Sequence, residues 1–181
     1  MFFKQLDGDS LVRLPNGFAT SVLSTINDYQ ELIATGYDFS SYPKHENIEV
    51  ALNGGACLIC IFKEKILAHS TWIAFDRSQA NYDSLFLPGR VGQPSDAFMG
   101  PCNTYIPFRG LGLYPAALII ACNYIKKKGM SRALINTKVN NQKSVKGIKK
   151  AGFEILEKVH ILHIFGQEFA LIKIPSWLMF K

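Results

Sequence analysis

One stretch limits the possible folds more than any other. CNTYI (Cys102–Ile106) is β-branched and aromatic, as strands are. It runs into PFRGLGLYPAAL (107–118), and an apolar run from Ala116 to Cys122 leads on to three lysines and Gly129. Pro115 suits a first helical turn, where its missing N–H leaves no bond unmade. Gly129 supplies a left-handed stop. The pattern therefore predicts strand, glycine turn, then a helix over 115–128. Such a turn aims backbone N–H groups and the positive end of a helix dipole at one point, which suits a phosphate. Neither common phosphate motif is complete. Pro115 stands where the dinucleotide fingerprint needs its third glycine, and the Gly-Lys-Ser/Thr of the triphosphate loop is absent. On these residues alone, a tight turn without a ligand is an equal alternative.

The surrounding pattern alternates strands and helices. A short strand (Phe2 to Leu6) precedes a helical region from Phe18 to Thr35, where Val22, Ile26, Tyr29 and Ile33 recur at helical spacing and Gly36 ends it. A hairpin follows: Ala56–Phe62, the turn Lys63-Glu64-Lys65, and Ile66–Phe75. Residues 76–97 form a long connection, a kind that is usually functional or mobile. Next come a strand near 98–106, the loop and helix, a strand over Arg132–Val139, and a short helix from Asn141 to Ala151-Gly152. A final hairpin turns around Gly166-Gln167. This order predicts an α/β (α+β) domain spanning 1–181, with a mixed sheet and helices on both faces.

Composition removes several function classes. A hydrophobic share of 48% with 19% charged residues is globular. The charge of +6 suits an acidic ligand, although a modest lysine excess is most often a solvated face. No basic face interleaved with aromatics is present, so nucleic acid is not an expected partner. MFFKQLDGDS is not a signal peptide, and the runs 56–62 and 116–122 are too short to cross a bilayer. A soluble, cytoplasmic protein with no membrane partner is expected. Cys57 and Cys60 form a C-x-x-C, but three apart on a strand they face opposite ways and cannot hold one metal. The four cysteines are expected to be reduced, mostly buried thiols, with no metal bound.

PFRGLGLYPAALIIACNYIKKKG, then a strand, then NNQKSVKGIKKAGFEIL resembles the GCN5-related N-acetyltransferase superfamily. That family carries Arg/Gln-x-x-Gly-x-Gly/Ala opening a helix. One strand later it carries Asn-x-x-Ser/Ala and a short helix closing on Gly-Phe. Here these are Arg109 to Gly112, then Asn141 to Ser144, and Gly152-Phe153. The resemblance implies a mostly antiparallel sheet in which the parallel strands near 100–106 and 132–139 splay apart to hold acetyl-CoA. The backbone of Thr104, Tyr105 and Ile106 would bond the pantetheine arm. The amides of Arg109, Gly110, Leu111, Gly112, Leu113 and Tyr114 would cradle the pyrophosphate. Asn141 and Ser144 would meet the pantetheine or phosphate end. Three departures accompany it. Tyr114 stands where glycine or alanine is frequent, Phe108 alone separates Pro107 from Arg109, and Ile148 stands where many members place the tyrosine that protonates the leaving thiolate.

Direct acyl transfer needs a neutral amine, a stabilised oxyanion and a departing thiolate. The resemblance makes the Tyr105 or Thr104 amide the group that polarises the thioester. His69 is the candidate base, since its pKa lies near neutrality; a hydrogen-bonded structural histidine is the alternative. Asp96, acting through water, is a second candidate. His160 and His163, three apart on a late strand, face opposite sides, and Cys102 is not expected as a nucleophile. The acceptor, a small-molecule amine, would meet the 29–43 helix and loop, the His69–Trp72 strand and the 76–97 loop. Tyr29, Tyr37, Phe39, Tyr42 and Trp72 suit a ring-shaped amine such as an amino sugar or nucleotide-linked amine, or else they are core. The excess positive charge argues against polyamines. An acetyltransferase, monomeric or homodimeric, is the expected function. A CoA-binding sensor domain that has lost catalysis is the alternative.

Overall fold

The computed structural model describes residues 1–43, 47–75, 94–156, 158, 160–164 and 167–171. The elements are β1 (Phe2–Gln5), β2 (Phe18–Leu23), α1 (Ile26–Ala34), α2 (Ile48–Asn53), β3 (Cys57–Lys63), β4 (Ile66–Ala74), β5 (Asp96–Thr104), α3 (Leu113–Lys127), β6 (Arg132–Ile135), α4 (Gln142–Lys150), β7 (Glu154–Ile155), β8 (His160–Ile164) and β9 (Gln167–Leu171). Seven strands form one sheet in the order β2-β3-β4-β5-β6-β1-β7, and β8 and β9 pair separately. Only β5 and β6 run parallel within the described sheet. This is the mixed, mostly antiparallel arrangement that the element order implies.

The predicted helix over 18–35 is half strand. FATSVL is rich in aromatic and β-branched residues, and it pairs antiparallel with β3 from Phe18↔Lys63 to Leu23↔Leu58. The helix starts later because Thr25 caps it. The Thr25 hydroxyl accepts from the Asp28 N–H at 3.1 Å, and the Asp28 carboxylate accepts from the Thr25 N–H at 2.8 Å. Helix α2, begun by the Asn47 side chain, and the short β7 were not legible in advance. The strand expected over 132–139 stops at Ile135. Of the long connection, 76–93 lies outside the described residues, while Asp96 and Ala97 already belong to β5.

Strand alternation sorts β3 onto two cores. Cys57, Ile59 and Ile61 turn toward α3, while Leu58, Cys60 and Phe62 turn toward α1 and α2. The two cysteines of the C-x-x-C therefore sit on opposite faces, and all four are free thiols. Helix α3 lays Leu113, Ala117, Leu118, Ala121 and Ile125 against the sheet, all 0–1% exposed. Its alanines let the helix approach the sheet closely. Each fully buried Leu or Ile contributes ~1.5–3 kcal/mol. No described helix is long and apolar enough to cross a membrane.

Candidate active site

The parallel strands part where the site begins. β6 pairs with β5 from Asp96↔Arg132 to Met99↔Ile135 and ends there. β5 runs on to Thr104 against β4 alone, with Cys102↔Thr71 and His69↔Thr104 opposed. Gly100, at φ 126°, and a shift in the β4–β5 register, where the two steps from Thr71 to Ile73 face three from Cys102 to Met99, mark the bend. Beyond Met99, the second edge of β5 has no strand beside it among the described residues.

Backbone groups alternate between the two edges of a strand. The Tyr105 N–H donates to the Ala68 carbonyl at 3.1 Å, so it faces β4 and is already used. The expectation that Tyr105 would offer its amide to a thioester is corrected by this bond. Thr104, one residue earlier, points its backbone to the open side, and its carbonyl accepts from Arg109 Nε at 2.9 Å. Ile106 no longer extends the strand. It opens a 3-10 turn (106–108), and its carbonyl takes the Arg109 N–H at 3.3 Å.

The glycine turn then delivers the chain to α3. Gly110 and Gly112 have φ of 84° and 75°, conformations that L side chains rarely adopt. Gly112 is the N-cap residue of α3 and brings no side-chain cap, and the first turn contains no acid. Pro115 has no N–H, so Leu113 and Tyr114 head the helix with uncapped amides beside the loop. A Cβ at Gly110 or Gly112 would meet nothing within 4 Å. The exposed loop 110–112 is thus an open cradle of N–H groups at a positive helix end, and its chemistry fits a pyrophosphate, whereas the Arg109 amide, expected among them, is bonded to the Ile106 carbonyl instead.

A buried polar cluster lies on the α3 side of the splay. His69 is fully buried. Its Nδ1 is 2.7 Å from the Thr104 hydroxyl and its Nε2 is 2.7 Å from the Thr71 hydroxyl. Burial lowers its pKa to about 3, so the ring is neutral. With both nitrogens engaged and no solvent access, His69 holds strands β4 and β5 together and has no ring nitrogen to offer an amine. The His69 ring lies 5.9 Å from the Tyr114 ring, and the Tyr114 hydroxyl is 3.2 Å from the Ser144 hydroxyl on α4. Asn141 uses its side-chain carbonyl to cap α4, accepting from the Ser144 N–H at 3.2 Å, which leaves its amide nitrogen for a further partner. Ile148 is buried in the core beneath α4.

The structure therefore brings His69, Thr104, Tyr114 and Ser144 together, with Arg109 and the glycine loop alongside. Asp96 is not among them. It sits at the far end of β5, 2% exposed, and takes both Nε and Nη2 of Arg132 at 2.7 Å. A carboxylate so engaged anchors the start of the parallel pair and is not a base for the distant splay. Two contributors were missed in the sequence. Thr71 grips His69 from two residues away, a spacing that puts both on one strand face. Gly147 packs under Tyr114, which only the fold reveals.

The other face of β4 carries the aromatics. Trp72 is buried and donates to the Tyr42 hydroxyl at 2.7 Å, and Tyr37 and Phe39 pack edge-on against Phe62. Trp72 and Tyr37 are thus core-packing groups. Tyr29, Phe39 and Tyr42, with Asn47 and Glu49, line a cavity of about 380 Å³ between α1 and α2. Burial raises the Tyr29 pKa, and the charge of Glu49 raises it further. His160 and His163 belong to β8.

The splayed parallel pair, the glycine turn into α3 and the flanking α4 define the class: the chain has the fold of the GCN5-related N-acetyltransferases. Three solved structures of that fold are similar to it. AAC(6')-Iy in complex with the bisubstrate analog CoA-S-monomethyl-acetylneamine superposes at TM-score 0.54 with 18% identity, over 79% of this chain and 95% of that one. An aminoglycoside acetyltransferase from an uncultured soil metagenomic sample, in complex with trehalose, gives 0.54 with 11% identity, over 84% and 97%. The aminoglycoside antibiotic 6'-N-acetyltransferase AAC(6')-Ih from Acinetobacter baumannii gives 0.50 with 15% identity, over 80% and 95%. The chain spans about half, 52%, of a GCN5-related N-acetyltransferase from Kribbella flavida, at 13% identity and a TM-score of 0.48, too loose a superposition to carry weight. No protein-family model and no curated protein matches the chain.

Proposed function

We propose that the chain is an acyltransferase that moves an acetyl or other short acyl group from acyl-CoA to the amine of a small molecule by direct attack. One observation carries this reading: the open edge of β5 is followed, after one 3-10 turn and the glycine turn, by the uncapped N-terminus of α3. A strip of strand amides followed by an anion cradle matches an amide-bearing arm that ends in a pyrophosphate. Thr104 would bond the arm, the amides of Gly110 to Tyr114 the phosphates, and the Arg109 guanidinium and the Asn141 amide nitrogen the groups between. When bound, CoA supplies the activated acyl group and a thiol leaving group. The chain's own part is to hold the donor in line and to leave the amine's proton to solvent.

For the acceptor we favour a ring-bearing amine, with amino sugars tested first. The cavity walls Tyr29, Phe39 and Tyr42 offer stacking faces, and Glu49 offers a local negative charge on a chain that is positive overall. The names of the similar structures point the same way. The buried Ile148 and the fully engaged His69 favour a second reading, a CoA-binding sensor without turnover.

One experiment separates the readings. The protein is melted with and without acetyl-CoA, then incubated with acetyl-CoA and a panel of amino sugars and other amines while free thiol is followed. Ligand at 100 times its Kd stabilises by ~2.7 kcal/mol, or roughly 5–11 °C for a chain of this size. A shift with amine-dependent thiol release supports the acyltransferase, and a shift without release supports the sensor. No shift at millimolar acetyl-CoA removes the cofactor reading.

A further inference from the structure

Acyl transfer leaves a sulfur carrying the electron pair of the broken C–S bond, and a donor aimed at that charge lowers the barrier. Among the protic groups at the splay, His69 is neutral and bonded at both nitrogens, and Thr71 and Thr104 are the hydroxyls bonded to it. Tyr114 remains. It is the second residue of α3, yet its ring crosses to α4 and lies directly on Gly147. A Cβ there would come 2.5 Å from Tyr114 Cδ1 and 2.8 Å from Cε1. Glycine inside a helix is destabilising relative to alanine, and the Tyr114 ring gives α4 a reason to carry one. Ser144 Oγ holds the phenol oxygen at 3.2 Å, and His69 flanks the ring at 5.9 Å with planes 37° apart. Cys102, on the stretch of β5 that has no β6 partner, packs against the same core as the Tyr114 ring.

We propose that Tyr114 is the hydrogen-bond donor to the leaving sulfur, presented from α3 and aimed by Ser144 and Gly147. The inference rests on the acyl-CoA reading above. Burial raises the pKa of Tyr114, with the Ser144 hydrogen bond pulling the other way, so the phenol stays protonated at neutral pH. As the C–N bond forms and the C–S bond breaks, the electron pair stays on sulfur under the Tyr114 O–H. The amine's surplus proton goes to solvent, and the thiolate leaves. With Ser144 donating to the phenol oxygen, the phenolic hydrogen is left for the sulfur.

The test compares CoA with desulfo-CoA, which lacks only the sulfur, by calorimetric titrations stepped upward from neutral to alkaline pH, so that the thiol passes from protonated to ionised while the buried phenol keeps its proton. Wild type should prefer CoA about tenfold or more, the scale of a hydrogen bond to a charged group. Tyr114→Phe keeps the ring on Gly147. It should lose that preference, bind desulfo-CoA as wild type does, and slow kcat about tenfold to a hundredfold at unchanged KM for the donor. Gly147→Ala pushes the ring aside with its hydroxyl intact and should show the same loss; it serves if the phenylalanine variant fails to fold. A Tyr114→Phe protein that keeps the wild-type CoA preference overturns the proposal while leaving the cofactor site standing. Failure of wild type to bind either ligand overturns the cofactor reading itself.

Discussion

Replacing Gly112 separates backbone strain from ligand electrostatics. At φ 75° the residue is left-handed, and a Cβ costs roughly 1–2 kcal/mol there. Nothing lies within 4 Å of that Cβ, so no clash adds to the strain. Gly112→Ala should therefore melt about 2–8 °C lower than wild type, at ~2–4 °C per kcal/mol. Gly112→Asp should lose no more stability, because aspartate tolerates this conformation better than alanine. Binding should fall the other way. Alanine adds bulk to the cradle, whereas aspartate adds a carboxylate where the α3 amides converge. Losing charge-assisted hydrogen bonds of ~1.5–3 kcal/mol each weakens CoA binding tenfold to a hundredfold. The assay is calorimetric CoA titration of all three proteins at low and high salt, beside circular dichroism melts. The extra deficit of the aspartate variant should shrink as salt screens the repulsion. A folded Gly112→Asp protein that binds CoA like wild type would refute the phosphate cradle.

His69 should make the fold acid-sensitive. Its folded pKa is lowered to about 3 against 6.5 for a free imidazole, so the unfolded chain binds the extra proton and stability falls as pH drops from 6.5. The slope is ~1.4 kcal/mol per pH unit. Urea melts from pH 7 to 4 should show a shallower curve for His69→Asn, and parallel curves would mean the buried ring is not held neutral. Asp96→Asn strips the charge from a carboxylate with no exposed side-chain surface and leaves Arg132 without its counter-charge. It should cost about 3 kcal/mol in denaturation while leaving CoA affinity intact; weakened CoA binding by a folded variant would return Asp96 to the site.

The parts of the site that follow chain direction were legible in the sequence. Positions 107–115 show the turn and the helix start outright, because glycine and proline there answer local conformational demands. The hairpin 56–75 followed from two apolar runs on either side of the polar turn Lys63-Glu64-Lys65. The helix expected at 18–23 failed because Val22 satisfies a helical and a strand spacing alike, and pairing with β3 decided between them. The roles of His69 and Asp96 were not readable, since each depends on a partner far along the chain: Thr104 for one and Arg132 for the other. Likewise, Gly147 looks like an ordinary weak point of a helix until Tyr114 is laid over it.

The place of β1 bears on how the molecule is made. Phe2 lies opposite Ile135 on one side and Ile155 on the other, so β1, which precedes every other described strand in chain order, is an interior strand of the sheet. It has nothing to pair with until β6 and then β7 have been synthesised. Pairings so distant in sequence are paid for in loop-closure entropy before they give anything back, and they slow folding. Until then β1 exposes two unpaired edges, the kind that recruit strands from other chains. A substitution that breaks the pairing of β1, such as Phe3→Pro, would leave the β6 edge open in the folded protein, and the first symptom would be aggregation during expression.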